Sequence, residues 1–490
     1  MKTTTPESVG IKSENILQYI RLLEEAKIST HDVIIMRHNK VVFEKYWKPF
    51  NADFLHRMYS VTKSFVAIGI GFLEQDGLVD LDAPIAKYFP EEIKLVKDAW
   101  VKKQTVKQML LMSTSKTVEN WFAKRCDDRV ASYFQNSNKY SRPSGCLFEY
   151  DSNGSFVLCA LIERLTKKDF MTYMREKVLD EIGFSKGAYC LKCPGGHSWG
   201  DSALICTAQD LLKFAQLLLN EGSYNGKQIL NKKFVRTATS KIIDNTMYGN
   251  TTYCSFGYGY QIWRTYDNSF FLNGMGCQLA VCCPDTDTIL VYNGDNQGFA
   301  DLAKEKIIEE FFKLIVRPIK EDSITENPKA YKELLDATEN LELFAMQGSG
   351  AGLIEKINNT WYELSENPFN ISKVQFSFSD DKCTFNYKKE SEIKQIIFGI
   401  NHNEFSYFPE NDYADQVGSV AGNRAFKCAA SVGIMNEYQM VMRVQIIDTY
   451  FANLAIHVGV NEDDIAIRMI KFAEDFLYNY EGFVGGTKIK

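Results

Sequence analysis

The chain has 490 residues, 45% hydrophobic and 24% charged, with a net charge of −6. That length exceeds one ordinary domain and suits two or three, and the composition is that of a well-cored globular protein. So mild a negative balance lacks the concentrated basic face that nucleic-acid binding requires.

The N-terminal MKTTTPESVGIKSENILQYI has no apolar run leading to a small-residue cleavage site, and no secretory signal is read there. The longest apolar run, residues 65–73, is far short of the roughly 20 residues needed to cross a bilayer. The expectation is a cytoplasmic protein with no membrane partner, its twelve cysteines reduced. Ser13 precedes ENILQYIRLLEEAK, where Ile16, Leu17, Ile20 and Leu23 recur at helical spacing. DVIIMRHNKVVFEKYW reads as a hairpin, two β-branched runs joined across His38, Asn39 and Lys40.

MYSVTKSFVAIGIGFLEQDGL is an apolar helix opened by Ser60 and stopped at Gly77, followed by a proline-marked link, LVDLDAPIAKYFP. Capping-box pairs, Thr105 with Gln108 and Thr207 with Asp210, open two later helices. GYGYQIW and QLAVCCPDTDTILVYNG predict strands, the latter pair turning at Pro284 and Asp285. DLAKEKIIEEFFKLIV predicts a closing helix.

Residues 317–331, charged and with two prolines, suit a linker. Beyond them KVQFSFSDDKCTFNY alternates Val374, Phe376, Phe378 and then Cys383, Phe385, Tyr387 around a turn at Asp380 and Asp381. The same period of two returns in YQMVMRVQIID and LAIHVGVNEDDIAIRMIKF, which predicts antiparallel hairpins closing a small barrel or sandwich. The division expected is residues 1–320, a linker at 321–331, and a β-rich domain over 332–490.

Two local motifs offer a nucleophile. GHSWG around Ser198 matches G-x-S-x-G, a pattern that needs a strand entering and a helix leaving directly. Here a proline-glycine turn enters and the next helix is capped only at Thr207, so Ser198 is set aside. S-x-x-K occurs at Ser60/Lys63, Ser113/Lys116, Ser379/Lys382 and Ser391/Lys394, and only Ser60 opens a long apolar helix. Three-residue spacing sets hydroxyl and amine side by side on one helix face. The helix N-terminus adds a partial positive charge and free N–H groups. Apolar surroundings would favour the neutral lysine, which could then take the serine proton. Cys190 and Cys193 have metal-ligand spacing, but no second pair follows and only His197 is close, so no metal is expected.

YSVTKSFVAIGIGFLEQDGLVDLDAPIAKYFPE resembles the first signature of serine hydrolases related to class C β-lactamases and penicillin-binding proteins. That group includes esterases and 6-aminohexanoate-oligomer hydrolases. The likeness continues in order through TVKQMLLMSTS, FEYDSNGSFVLCALIERLT, TAQDLLKFAQLLLNEGSYNGKQIL and FGYGYQIW, over residues 6–316. It implies an α+β fold, an antiparallel sheet flanked by helices plus a helical region, here with the C-terminal β domain appended. It also implies that Tyr150, in the family's Tyr-x-Asn/Ser place, is the acid/base partner of Ser60 and Lys63. Either Lys63 or Tyr150 can be the resting-state base. Ser152 is expected to support that pair by hydrogen bonding, and Asp151 to face solvent.

The family's third motif, Lys-Thr-Gly or His-x-Gly, falls at Leu272, Asn273 and Gly274, and the cation is lost. Asn273, Gly274 and Gly276 are candidate pocket residues. The backbone N–H groups of Ser60 and Met275 would form the oxyanion hole, which needs main-chain donors and no particular side chain. The resulting expectation is hydrolysis of a small ester or amide through an acyl-enzyme on Ser60, with no cofactor. The alternatives are a β-lactamase or D-amino-acid peptidase, and a non-catalytic binding protein of the same fold. The C-terminal domain has two candidate roles, a cap over the cleft or a homodimer contact.

Overall fold

The computed structural model describes residues 2–94, 96–115, 128–135, 141–248, 252–409, 425–472 and 480–489. The chain divides into two compact units that meet in sequence at Glu342 and Leu343. In the first, an edge strand β1 (Lys2–Thr3) precedes helix α1 (Ser13–Glu25), which buries Ile16, Leu17, Ile20 and Leu23 as their spacing requires. The hairpin follows as β2 (Thr30–Arg37) and β3 (Lys40–Tyr46), with Arg37 opposite Lys40. His38 and Asn39 form its turn, both left-handed at φ 50° and 58°, the geometry that matches strand twist.

Helix α2 (Val61–Gln75) comes next, then α3 (Ser152–Thr166) and α4 (Ala208–Leu219). Strands β4 (Trp263–Arg264), β5 (Phe270–Gly274), β6 (Gln278–Cys283) and β7 (Thr288–Gly294) complete a sheet ordered β1-β3-β2-β7-β6-β5-β4. All its pairings are antiparallel except β1 against β3. Of the predicted strand GYGYQIW only Trp263 enters it, because Gln261 turns left-handed at φ 57°. The Gln261 amide is then buried against the Met109 carbonyl at 3.0 Å and the Ser155 hydroxyl at 2.7 Å.

Both sheet faces are covered. Ile34, Met36, Leu272, Ala280 and Val291 face the helices α2, α3 and α4, while Val33, Ile35, Phe271, Leu279 and Leu290 face α1 and α5 (Ala300–Phe311). A sheet buried on both sides reads as near-continuous apolar runs, which accounts for QLAVCC and TILVY. Every residue of α2 from Val61 to Leu73 is buried, so its cation at position 63 is a core residue. A Cβ at Gly69 would lie 2.6 Å from Ile162 Cδ1, so the glycine lets α3 pack close.

The segment read as a linker ends in helix α6 (Pro328–Ala337), capped by Asn327 and led by Pro328. Its Leu334 is fully buried with the α1 core, which moves the division between units from 332 to Glu342. The two prolines and charges that suit a linker belong in part to a helix start.

The second unit is a barrel rather than a sandwich. Ten strands from Thr360–Leu364 to Gly482–Lys488 pair mostly as antiparallel hairpins. Glu392–Ile400 closes the sheet by pairing in parallel with Phe426–Ile434 at Gly399↔Ser431 and Ile400↔Val432. Closure removes most free strand edges, and Glu404–Phe408 pairs only with Phe426–Ile434 among the described residues. Val374, Phe376, Cys383, Phe385 and Tyr387 are buried, as the alternation predicts, whereas Phe378 at the strand end is only half-buried, and Ser379 sits opposite Lys382 across the Asp380 turn. Among the described residues no helix is long and apolar enough to cross a membrane.

Candidate active site

Ser60 stands at the position preceding α2, and Lys63 lies one turn on. Lys63 Nζ donates to Ser60 Oγ at 2.8 Å and to the Asp201 carbonyl oxygen at 2.6 Å, and the side chain is only 1% exposed. The approach to Ser60 is held under strain. Tyr59 is left-handed at φ 46°, which costs a residue with a Cβ about 1–2 kcal/mol. Its ring lies 4.4 Å from the Arg57 guanidinium and its carbonyl accepts from Thr62 Oγ1 at 2.6 Å. Arg57 donates in turn to the Ser202 carbonyl at 3.2 Å, so the loop carrying Asp201 and the residues before Ser60 brace each other.

Tyr150 is half-buried and stacks on Trp263, ring centroids 5.7 Å apart at 27°. Lys63 Nζ is 5.1 Å from the Tyr150 ring centroid, so the three sequence candidates Ser60, Lys63 and Tyr150 converge. Asp151 does not face solvent. Its carboxylate is fully buried as the cap of α3, accepting from Gly154 N–H at 3.1 Å and Thr114 Oγ1 at 2.8 Å. Burial raises its pKa above the ordinary aspartate range, and those hydrogen bonds oppose the shift. Ser152 is the first residue of α3 and makes no side-chain hydrogen bond to Lys63 or Tyr150 among the described residues. The neighbours of the pair are instead the Asp201 carbonyl and the Trp263 ring. The Asp201 carboxyl is itself buried and pushed up to about 6 by desolvation, with the Lys63 and Arg129 charges pulling the other way.

The third-motif turn abuts the segment that leads to Ser60. Gly274 ends β5 opposite Gln278, leaving Met275, Gly276 and Cys277 as the loop. A Cβ at Gly274 would sit 2.4 Å from the Met58 carbonyl oxygen, so the strand end runs directly against the residues before Ser60. Gly276 and Cys277 are both left-handed, φ 74° and 77°. Buried Gln278 donates through Nε2 to the Met275 and Gly294 carbonyls at 2.8 Å each, pinning the turn to the end of β7.

A cavity of about 350 Å³ opens here, lined by Ser60, Tyr150, Asn273, Gly274 and Met275. Asn273 Oδ1 is buried with no hydrogen-bond partner among the described residues. Six further lining residues are not singled out by the sequence: Tyr248, Tyr253, Cys254, Trp263, Asp301 and Lys304. Burial, the leading cause, raises both tyrosine hydroxyls well above the ordinary range, and Tyr253 donates to Asp301 Oδ1 at 2.9 Å. Lys304 carries a legible signal, since it lies on the buried face of α5 with Ala303, Ile307 and Ile308.

The rejected motifs have structural occupations. Glu163 accepts from His197 Nδ1 at 2.7 Å and from Ser198 N–H at 3.1 Å, which locks the GHSWG loop. Burial would raise Glu163, but these hydrogen bonds outweigh it and hold the carboxyl below its ordinary range. Ser113 donates to the Gln108 carbonyl at 3.1 Å, while Lys116 lies outside the described residues. Cys190 and Cys193 are buried thiols, and among the described residues no group of His, Cys, Asp or Glu is arranged to hold a metal ion.

The family model described as Beta-lactamase matches residues 19–309. A curated relative, the 6-aminohexanoate-dimer hydrolase of Paenarthrobacter ureafaciens, is 22% identical over 281 residues, covering 54% of this chain and 71% of its own. Among solved structures, the octameric penicillin-binding protein homologue from Pyrococcus abyssi aligns with a TM-score of 0.50 at 14% identity. That alignment covers 97% of this chain and 99% of the other. A penicillin-binding protein homologue from Caulobacter crescentus also reaches 0.50, at 15% identity, over 62% of this chain and 99% of its own. Likeness at these identities speaks to the fold alone.

Proposed function

Because this chain belongs to the β-lactamase family, we propose that it is a serine hydrolase that opens a small ester or amide through an acyl-enzyme on Ser60. The observation that carries this is the 2.8 Å hydrogen bond between buried Lys63 Nζ and Ser60 Oγ, at the wall of a cavity shared with Tyr150 and Met275. Ser60 Oγ attacks the substrate carbonyl carbon and its proton passes to Lys63 or Tyr150. Negative charge gathers on the carbonyl oxygen, where the Ser60 and Met275 N–H groups would hold it. The tetrahedral intermediate collapses, the same pair protonates the leaving amine or alcohol, and water then repeats the sequence to free the acid and restore Ser60. The relative named for hydrolysing the 6-aminohexanoate dimer supports an amide among the substrates.

The test is a panel of p-nitrophenyl esters and aminoacyl amides with fluorophosphonate labelling. Ser60→Ala should lose labelling and at least about 10³-fold in kcat. Lys63→Met and Tyr150→Phe should each lose about 10²–10⁴-fold, the usual weight of a positioned acid/base group. An active Ser60→Ala beside an inactive Ser198→Ala would overturn the assignment. Rapid turnover of a chromogenic cephalosporin would shift the substrate class toward β-lactams.

A further inference from the structure

A second cavity, of about 790 Å³, lies at the end of the sheet away from Ser60. At one end of β2, Thr30 pairs with Gly294, whose carbonyl holds the Gln278 amide of the third-motif turn. At the other end Arg37 pairs with Thr288. The eight residues of β2, rising about 3.3 Å each, set the two ends about 23 Å apart. Asn39, just beyond Arg37, lines the second cavity with Gln216 of α4, Asn220 just past that helix, and a small hairpin, Ser223–Tyr224 paired with Lys227–Gln228. The hairpin turns at Asn225 and Gly226, left-handed at φ 49° and 81°. Gln228 Nε2 ties it to the Glu221 carbonyl at 2.9 Å and the Leu230 carbonyl at 2.6 Å, so the wall is built before any ligand arrives.

The lining charges are mostly engaged. Glu221 pairs with Arg236 and Lys232, while Lys213 donates to the Gly183 carbonyl and lies 3.4 Å from Asp210 Oδ1. Only Lys2, exposed on the edge strand, remains as a cation without a counter-ion among the described residues. The rest of the polar lining is neutral, and among the described residues the side chains of Asn220, Ser223, Tyr224 and Asn225 make no hydrogen bond. Gln216 is the one buried lining residue, 8% exposed. Its Nε2 donates to Asn39 Oδ1 at 2.7 Å, and its Oε1 is buried with no partner among the described residues. A buried acceptor left unpaired is costly, which favours a ligand that brings a donor.

Amides and hydroxyls between them both give and accept hydrogen bonds, and the molecule that matches them is one whose own groups do both, a polyol. An apolar molecule would strand these groups, and an anion would meet Glu221. The half-buried Tyr224 ring makes no ring contact among the described residues and offers a flat face to the C–H side of a pyranose. We propose that this cavity is a second binding site, for a neutral disaccharide. Its volume lies within the range of about 300–1,000 Å³ usual for small-molecule sites. The site stands apart from the proposed hydrolase activity of Ser60.

The test is calorimetry and saturation-transfer NMR on the full chain with cellobiose, maltose and N,N′-diacetylchitobiose as probes. At least one sugar should bind with a Kd of about 1 mM or tighter. Gln216→Leu and Tyr224→Ala should each weaken it about 10-fold or more. Tyr224→Phe, which keeps the ring, should retain most of the affinity. Ser60→Ala should bind the sugar as the wild type does, and saturating sugar should leave fluorophosphonate labelling unchanged. Thermal melts establish that each variant is folded. If none of the three sugars binds, or binding is unchanged in both Gln216→Leu and Tyr224→Ala, the proposal is overturned. Binding that Ser60→Ala abolishes, or that blocks labelling, would put the sugar in the catalytic cavity and overturn it equally. A chain whose Ser60 takes no label, yet binds sugar through Gln216 and Tyr224, would keep this site and lose the hydrolase reading.

Discussion

Gly274→Ala is the sharpest test of how β5 is fitted against the approach to Ser60, the proposed nucleophile. Gly274 is not in a left-handed conformation, so alanine is allowed by the local backbone, and the whole effect should come from space. The added Cβ would lie 2.4 Å from the Met58 carbonyl oxygen and 2.9 Å from Gln278 Cβ. Ordinary van der Waals contact requires the Met58 gap to open by about 1 Å, and neither side gives readily. Gly274 is paired in the sheet with Gln278, and Met58 is bonded through its N–H to the Leu204 carbonyl at 2.8 Å. Met58 is two residues from Ser60 and Gly274 is the residue before Met275, so the strain should separate the two sides of the proposed oxyanion hole. A displacement of about 1 Å at reacting groups costs roughly 10²-fold in rate. Overpacking of this kind costs about 1–3 kcal/mol in stability. The assay is kcat/KM on a p-nitrophenyl ester with the rate of fluorophosphonate labelling, alongside a thermal melt. A variant within 3-fold of wild type in both rates, at unchanged melting temperature, would refute the fit described here.

Two further outcomes follow from buried polar groups. Burial pushes the Asp32 carboxyl up to about 7, with the Asn293 hydrogen bond pulling down and Glu44 adding a smaller push upward. The folded state therefore holds a proton that the unfolded chain releases near its ordinary pKa of 3.8, and stability from this group declines as pH rises from about 4 to about 7. Asp32→Asn should raise stability by on the order of 1–3 kcal/mol at pH 8, as each tenfold change in proton affinity is worth ~1.4 kcal/mol. That gain should vanish by pH 4 in urea titrations, and a pH-independent difference would contradict the argument. Gln278→Ala removes three hydrogen bonds, two at 2.8 Å from Nε2 and one at 3.2 Å from Gly294 N–H to Oε1. The loss should be about 2–4 kcal/mol in denaturant melts, since buried groups are left unsatisfied, with a fall in kcat as the Met275 turn loosens. A Gln278→Ala protein with wild-type kcat would detach the turn from catalysis.

The features legible in the amino-acid order alone are those with local physical signals. Helix α1, the His38–Asn39 turn and the two capping boxes each follow from residues within a few positions of one another. Ser60 and Lys63 belong with them, because one helical turn suffices to bring their side chains together. Tyr150 and Gly274 are reached through the order of motifs along the chain. Asp151 departs from its expected place because a charged residue in a polar string looks solvent-facing, whereas capping α3 places its carboxylate over buried N–H groups. The boundary expected near 332 shifts for a related reason: Pro328 and the charges of α6 resemble a linker, and only Leu334 against α1 reveals a packed helix.

The sequence by itself determined the antiparallel hairpins of the C-terminal domain and the pairing of Ser60 with Lys63, since periodicity and short spacing are properties of a few neighbouring residues, while the α+β class followed from the resemblance of its ordered motifs to a known family. Only the tertiary structure decided that the C-terminal hairpins close into a barrel, that Gly274 presses against Met58, and that Lys304 meets Ser60 across one cavity. Those facts depend on which strands pair and which faces are buried. Such choices are made by contacts between residues far apart along the chain, and no local pattern contains them.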